Sequence, residues 1–263
     1  MVKLEQLKEL VLRAGDLLTD TVLSRDVIVK GDSDFVTRAD LSVQEFMRGE
    51  LAAMYPEAHF IAEENKVNDP GACGEAFILD PVDGTTNLMH DFCQSVISLG
   101  YYRDGRGIMG VMYNPFTKEL FYAERGKGAF LGDKPIHCKN RAAMSECLAI
   151  VEFSPYYKEN SAPVFEMMRQ LFLKVHDIRS IGASAIDLVY LACGRADVFM
   201  SRDLKPWDYA AAQIILREAG GMTSDFGGRP LSLNSNSHVI AATAGVFAEL
   251  AAFAKNFDDK EGR

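Results

Sequence analysis

The stretch between residues 76 and 131 constrains the fold most. A short apolar run over 76–79 stops at Asp80-Pro81, and strand-like runs follow over 96–102, 107–112, 119–123 and 128–131. Asp104-Gly105 and Gly132-Asp133 supply turn pairs for this meander. Helical spacing flanks it. Leu4, Leu7, Val11, Ala14, Leu18 and Val22 predict an amphipathic opening helix. Thr37-x-x-Asp40 reads as a capping box ahead of a helix over 41–53. A short apolar run over 59–62 stops at Glu63-Glu64, and residues 66–74, with Asn68, Asp69, Pro70 and two glycines, read as a loop. Downstream, strands are predicted over 149–153, 196–200 and about 238–243. Helices are predicted over 164–172, 183–193 and 208–219 and from about 245, with Gly194 and Gly220-Gly221 as stops. Meandering strands with intervening helices predict an α+β or layered α/β fold rather than a pure doubly wound sheet.

The 263 residues, 48% of them hydrophobic, suit one domain over 1–263 with approximate halves 1–145 and 146–263. A net charge of −9 argues against nucleic acid or an anionic membrane as the main partner. No run approaches the 18 apolar residues of a membrane span, and no secretory signal follows the charged N-terminus. The five cysteines (73, 93, 138, 147, 193) form no C-x-x-C pair and read as reduced thiols of a cytoplasmic protein.

Chemistry concentrates in Asp80-Pro81-Val82-Asp83-Gly84-Thr85-Thr86-Asn87. Pro81 and Gly84 argue for a turn, in which both carboxylates and the Val82 carbonyl converge on one point. A hard cation such as Mg²⁺ takes that all-oxygen set. Gly84 to Asn87 then reads as a helix start, whose free amides can bind phosphate. Three further acidic positions are open to two readings each. Glu63-Glu64 is either a ligand pair at a sheet edge or a solvated charge pair. Asp208, after Pro206-Trp207, and Asp40 are either helix caps or site residues.

Together these segments resemble the inositol monophosphatase family. Asp80-Pro-Val-Asp83-Gly-Thr-Thr-Asn87 is similar to its first motif. Trp207-Asp208-x-Ala-Ala, running on to Glu218-Ala-Gly-Gly221, is similar to its second. Phe60-Ile-Ala-Glu63-Glu64 and Asp34-x-x-Thr37-x-x-Asp40 match two upstream elements. The resemblance implies alternating α-β-α-β-α layers, a homodimer and two or three Mg²⁺ ions. It implies metal ligation by Glu63, Asp80, the Val82 carbonyl, Asp83 and Asp208, with Asp40 and Glu64 behind them or at a third metal. Glu63, Thr85 and Asp40 would be catalytic, Thr85 helping to orient the attacking water. Gly84, Thr85, Thr86, Ser201 and Ala183 would contact phosphate or substrate. The implied activity is hydrolysis of a small polyol or sugar phosphate. Bound cations would then offset both the acidic chain and the crowded acids.

Two positions depart from the family pattern. Ala62 stands where a glycine is usual. Ser201, six residues before Trp207, stands where many inositol phosphatases place a Glu that touches the sugar hydroxyls. Ser201 can hydrogen-bond a hydroxyl, but not as a charged acceptor. The same metal centre serves fructose-1,6-bisphosphate, histidinol phosphate and 3′,5′-bisphosphonucleotide phosphatases, and Arg179, Arg195, Arg202 and Lys205 could read a second phosphate. A metal- or phosphate-binding regulatory protein without turnover is the non-enzyme alternative. Gly105-x-Gly107-x-x-Gly110 formally fits a dinucleotide fingerprint, but it sits in a hairpin with no helix after it. Asp225-Phe226-Gly227 lacks the rest of a kinase site, and His90 is a loop histidine rather than a ligand. Met167, Met168 and the aromatics of 153–172 are predicted to be core.

Overall fold

Helix α1 (Leu4–Leu18) turns Leu7, Leu10, Val11, Ala14 and Leu18 inward at the predicted spacing. The computed structural model describes residues 2–31, 34–65, 74–153, 158 and 161–258. Cys73 and most of the predicted 66–74 loop lie outside the described residues. The opening helix is shorter than the periodicity suggests. Asp20 accepts from the amides of Val22 and Leu23 and starts a separate helix, α2 (Thr21–Arg25), and Val22 points to solvent. The local side-chain cap outcompetes the continuing pattern.

A hairpin of β1 (Val27–Gly31) and β2 (Asp34–Thr37) leads into α3 (Arg38–Met54). Thr37 and Asp40 close the predicted capping box. Then come β3 (His59–Ala62), β4 (Glu75–Asp83), the short α4 (Thr85–Met89), β5 (Val96–Arg103), β6 (Arg106–Asn114), β7 (Glu119–Glu124), β8 (Ala129–Leu131) and β9 (Lys134–Ile136). Strands β3 to β9 form one seven-stranded sheet in sequence order, antiparallel except for β3 beside β4. The second half runs β10 (Leu148–Glu152), α5 (Ser161–Phe172), β11 (Asp177–Arg179), α6 (Ser184–Ala192), β12 (Val198–Leu204), α7 (Pro206–Glu218), β13 (Gly221–Asp225), β14 (Ser237–Thr243) and α8 (Ala244–Ala254). Its five-stranded sheet has the order β11-β10-β12-β14-β13.

The period of two along each strand builds the layers. On β4, Phe77 and Leu79 pack with α1 and α3, while Ala76 and Ile78 pack with α6 and α7. On β14, Val239 and Ala241 meet the α6–α7 layer, while Ile240 and Ala242 meet α8. The result is α1/α3, sheet, α6/α7, sheet, α5/α8, the expected five layers. Gly107 and Gly110 lie in a hairpin strand against α7. A Cβ on Gly110 would stand 2.5 Å from the Ala211 carbonyl oxygen. Their role is close helix–sheet approach, not phosphate binding.

Two further expectations are corrected. Strand β4 does not end at Asp80 but runs on to Asp83, with a register shift against β5 between Asp80 and Asp83. On α5 the buried side chains are Met167 and Leu171, Met168 is half-buried like Phe153 before the helix, and Phe165 and Phe172 are exposed and so are not core; Tyr156 and Tyr157 lie outside the described residues. Apolar residues flank the inward face on both sides there, so composition alone assigned the stripe too broadly.

Candidate active site

The irregular end of β4 builds the site. Asp80 Oδ1 accepts from the Val82 amide at 3.0 Å, folding the strand end back on itself. Two residues later the chain needs the left-handed region: Gly84 has φ 88°, and a Cβ there would stand 2.7 Å from the Gln94 carbonyl oxygen. This bend releases the chain into α4 and leaves Asp80, Val82, Asp83, Gly84, Thr85 and Thr86 on the wall of one pocket of about 290 Å³. Glu63, just past β3, and Asp208, in the first turn of α7, line the same pocket, as does Ser201 on β12. Asp208 also accepts from the Lys205 amide at 2.8 Å. It thus closes the capping box of α7 and also lines the pocket; the two readings are compatible.

Three expected residues stand behind the wall. Asp40 is buried and accepts from the Thr37 amide at 2.8 Å and from the Thr85 hydroxyl at 2.9 Å. The Thr85 hydroxyl also lies 3.1 Å from the Val82 carbonyl. Glu64 pairs with Lys30 of β1. Ala183, buried, precedes α6 and packs against Gly84. His90 is exposed at the end of α4 and is not on the pocket wall. Arg202 and Lys205 line the pocket, but Arg179 and Arg195 pair with Asp177 and Glu119 and are not on its wall. Seven wall residues that motif reading gave no site role are Phe35, Glu152, Phe153, Gly182, Ser184, Asp203 and Leu204.

Crowded acids give the pocket its electrostatics. Burial, then the charges of Glu63 and Asp83, holds the Asp80 carboxyl well above its ordinary range. Asp83 is held high by burial and then by Asp208, although the Ala185 amide donating to its Oδ2 at 2.7 Å opposes this. Burial and Asp208 push Glu63 up to about 8, against the pull of Lys205. Burial pushes Asp208 up to about 6, against its bond from the Lys205 amide. Asp40 is raised by burial, which outweighs its three hydrogen bonds. Among the described residues no three His, Cys, Asp or Glu side chains are already drawn into ligating geometry. The acids instead surround an open cavity. Their mutual repulsion and all-oxygen character fit a hard divalent cation, which would offset the charge that burial opposes. Zinc-type nitrogen or sulfur donors are not among the wall residues.

Comparison with known proteins identifies the family. Residues 3–257 match the profile of the inositol monophosphatase family. An inositol-1-monophosphatase of Rhizobium meliloti is 35% identical over 241 residues, covering 88% of this chain and 91% of that protein. The Nus factor SuhB of Vibrio cholerae is 34% identical, covering 84% of this chain and 83% of the relative. The solved structure of a Thermotoga maritima IMPase superposes with a TM-score of 0.86 at 28% identity, covering all of both chains. Motifs, layers and relatives together establish that this chain is a phosphatase and belongs to the inositol monophosphatase family.

Proposed function

We propose that the protein is a Mg²⁺-dependent phosphomonoesterase acting on a small polyol or sugar phosphate of the inositol phosphate type. One observation carries this reading: Glu63, Asp80, Asp83 and Asp208, from three separate segments, face one cavity beside the Gly84–Thr85 bend. Glu63, Asp80, the Val82 carbonyl, Asp83 and Asp208 would hold two or three cations, with Asp40 and Glu64 behind them. When bound, Mg²⁺ supplies charge stabilisation for the phosphoryl group and lowers the pKa of the attacking water. The chain's own groups do the rest. With its proton directed to Asp40 Oδ1, the Thr85 hydroxyl presents a lone pair to the water. Ionised once a cation is bound, Glu63 would accept a hydrogen bond from the other O–H of that water, which fixes its aim at phosphorus, and take that proton as the P–O bond forms. The Gly84 and Thr85 amides and the Thr86 side chain, on the pocket wall, would cradle the phosphate. Ser201 and the backbone beside Ala183 would meet the alcohol.

A substrate panel tests the reading. Phosphate release from polyol, sugar and nucleotide phosphates is followed with Mg²⁺ titrated, beside Asp83→Asn. The parent should turn over at least one monoester only with Mg²⁺, and the variant should lose that activity. No release by the parent with Mg²⁺ on any substrate overturns it. Arg202 and Lys205 on the wall favour a second reading, a substrate with a second phosphate. It gains if a sugar or nucleotide bisphosphate outruns every monophosphate. A homodimer in the cytoplasm belongs to the same proposal, and light scattering on the purified chain tests the dimer.

A further inference from the structure

Glu152, the last residue of β10, is a wall residue that the chemistry above does not use. It is nearly fully buried, opposite Ser201 in the β10–β12 register. Its Oε1 collects three donors from one short segment: the Ser180 hydroxyl at 3.3 Å, the Ile181 amide at 3.0 Å and the Gly182 amide at 3.0 Å. Gly182 has φ 85°. Successive amides turned the same way across a left-handed residue form a concave anion site, and here a side chain of the protein fills it.

The segment so held is anchored on its other side as well. The Asn87 side chain donates to the Ile181 carbonyl at 2.9 Å and to the Gln94 carbonyl at 2.8 Å. Three residues beyond Gly182, the Ala185 amide meets Asp83 Oδ2 at 2.7 Å. Behind Glu152 lies Asp187, fully buried, its carboxyl held well above its ordinary range by burial and then by the charge of Glu152.

We propose that Glu152 is a positioning residue: by filling the 180–182 anion site it fixes the start of α6, and through the Ala185 amide it sets the orientation of Asp83. The inference rests on the reading of Asp83 as a metal ligand. Partners that orient a ligand change metal affinity or activity by ~10–100-fold when removed. Ordinary side-chain packing does not predict that an added small anion restores the loss.

The experiment uses the full chain and two readouts: Mg²⁺ binding by calorimetry, and Mg²⁺-dependent phosphate release. In Glu152→Ala, Mg²⁺ should bind ~10–100-fold more weakly and kcat should fall, with KM for the phosphate ester moving less than kcat. Formate, small enough to enter the vacated anion site, should restore part of both while leaving the parent unchanged. Glu152→Gln keeps an acceptor in place and should recover most of the loss. If the alanine variant does not fold, judged by its circular-dichroism melt, Glu152→Met replaces it, because it fills similar volume without an acceptor. Three results overturn the inference: Ala or Met variants that bind Mg²⁺ as the parent does, Gln and Ala variants that fall equally, or a change in KM alone. A parent that itself binds no Mg²⁺ defeats the proposed function instead, which separates the two failures.

Discussion

At the scale of single residues, burial opposes the ionised form of Glu63, Asp80, Asp83 and Asp208, the acids that the proposed chemistry would use. Asp83 shows this most directly. Burial and the neighbouring Asp208 oppose its ionised form. Asp83→Asn should therefore raise the thermal midpoint of the protein in EDTA at pH 8 while abolishing Mg²⁺-dependent turnover. A midpoint unchanged or lowered would mean that the bond from Ala185 outweighs the repulsion. Thr85 carries the opposite balance. Its hydroxyl joins Asp40 to the Val82 carbonyl and would aim the water. Thr85→Val keeps the shape and should cost kcat about 100-fold or more, with Mg²⁺ affinity changed far less. Single-turnover kinetics beside calorimetry separate the two. The acids and Thr85 were legible in the sequence because each sits in a motif with its own local logic. Glu152 and Ser184 were not. A lone Glu ending an apolar strand carries no pattern, and its partners are a hydroxyl and two amides 28 to 30 positions away.

At the scale of elements, helix α7 decides how closely the layers approach. Gly107 and Gly110 of β6 face Ile214 and Ala211, and the missing side chains let the helix backbone approach the sheet. Gly110→Ala would force a methyl group against the Ala211 carbonyl. It should destabilise the protein by about 1–3 kcal/mol, the usual cost of overpacking, as read from urea unfolding. A loss near zero would show that α7 can shift. Since α7 also carries Asp208, activity should fall along with stability. Most long elements were legible: α1, α3, α6, α7 and the hairpin strands follow their own periodicity. What escaped was set by tertiary partners. The short strands β1, β2, β9, β11 and β13 acquire their identity from the strand they pair with. The extension of β4 through Pro81 depends on its irregular pairing with β5. The stop at Asp20 needed a local cap to defeat a continuing apolar stripe.

For the whole molecule, the acid cluster links stability, pH and metal. In the folded chain burial pushes Glu63 up to about 8 and Asp208 up to about 6, and raises Asp80 and Asp83 too. In the unfolded chain such groups titrate at about 4. A carboxyl whose folded pKa is raised adds stability that is fully present below the unfolded value and is lost as pH rises through the folded value. In EDTA, the cluster's contribution should thus drain away between pH 4 and pH 8. Mg²⁺ reverses the trend, since it binds the deprotonated acids and stabilises the native state by mass action. Its affinity rises as the protons leave. The difference in thermal midpoint between millimolar Mg²⁺ and EDTA should accordingly be small at pH 5 and widest near pH 8. Taking that difference at each pH cancels the titration of the other carboxylates among the chain's 37 Asp and Glu residues. Differential scanning fluorimetry over this range reads it. A difference that narrows toward pH 8 would mean that the cation does not replace protons at these acids, and the pocket would then need another occupant.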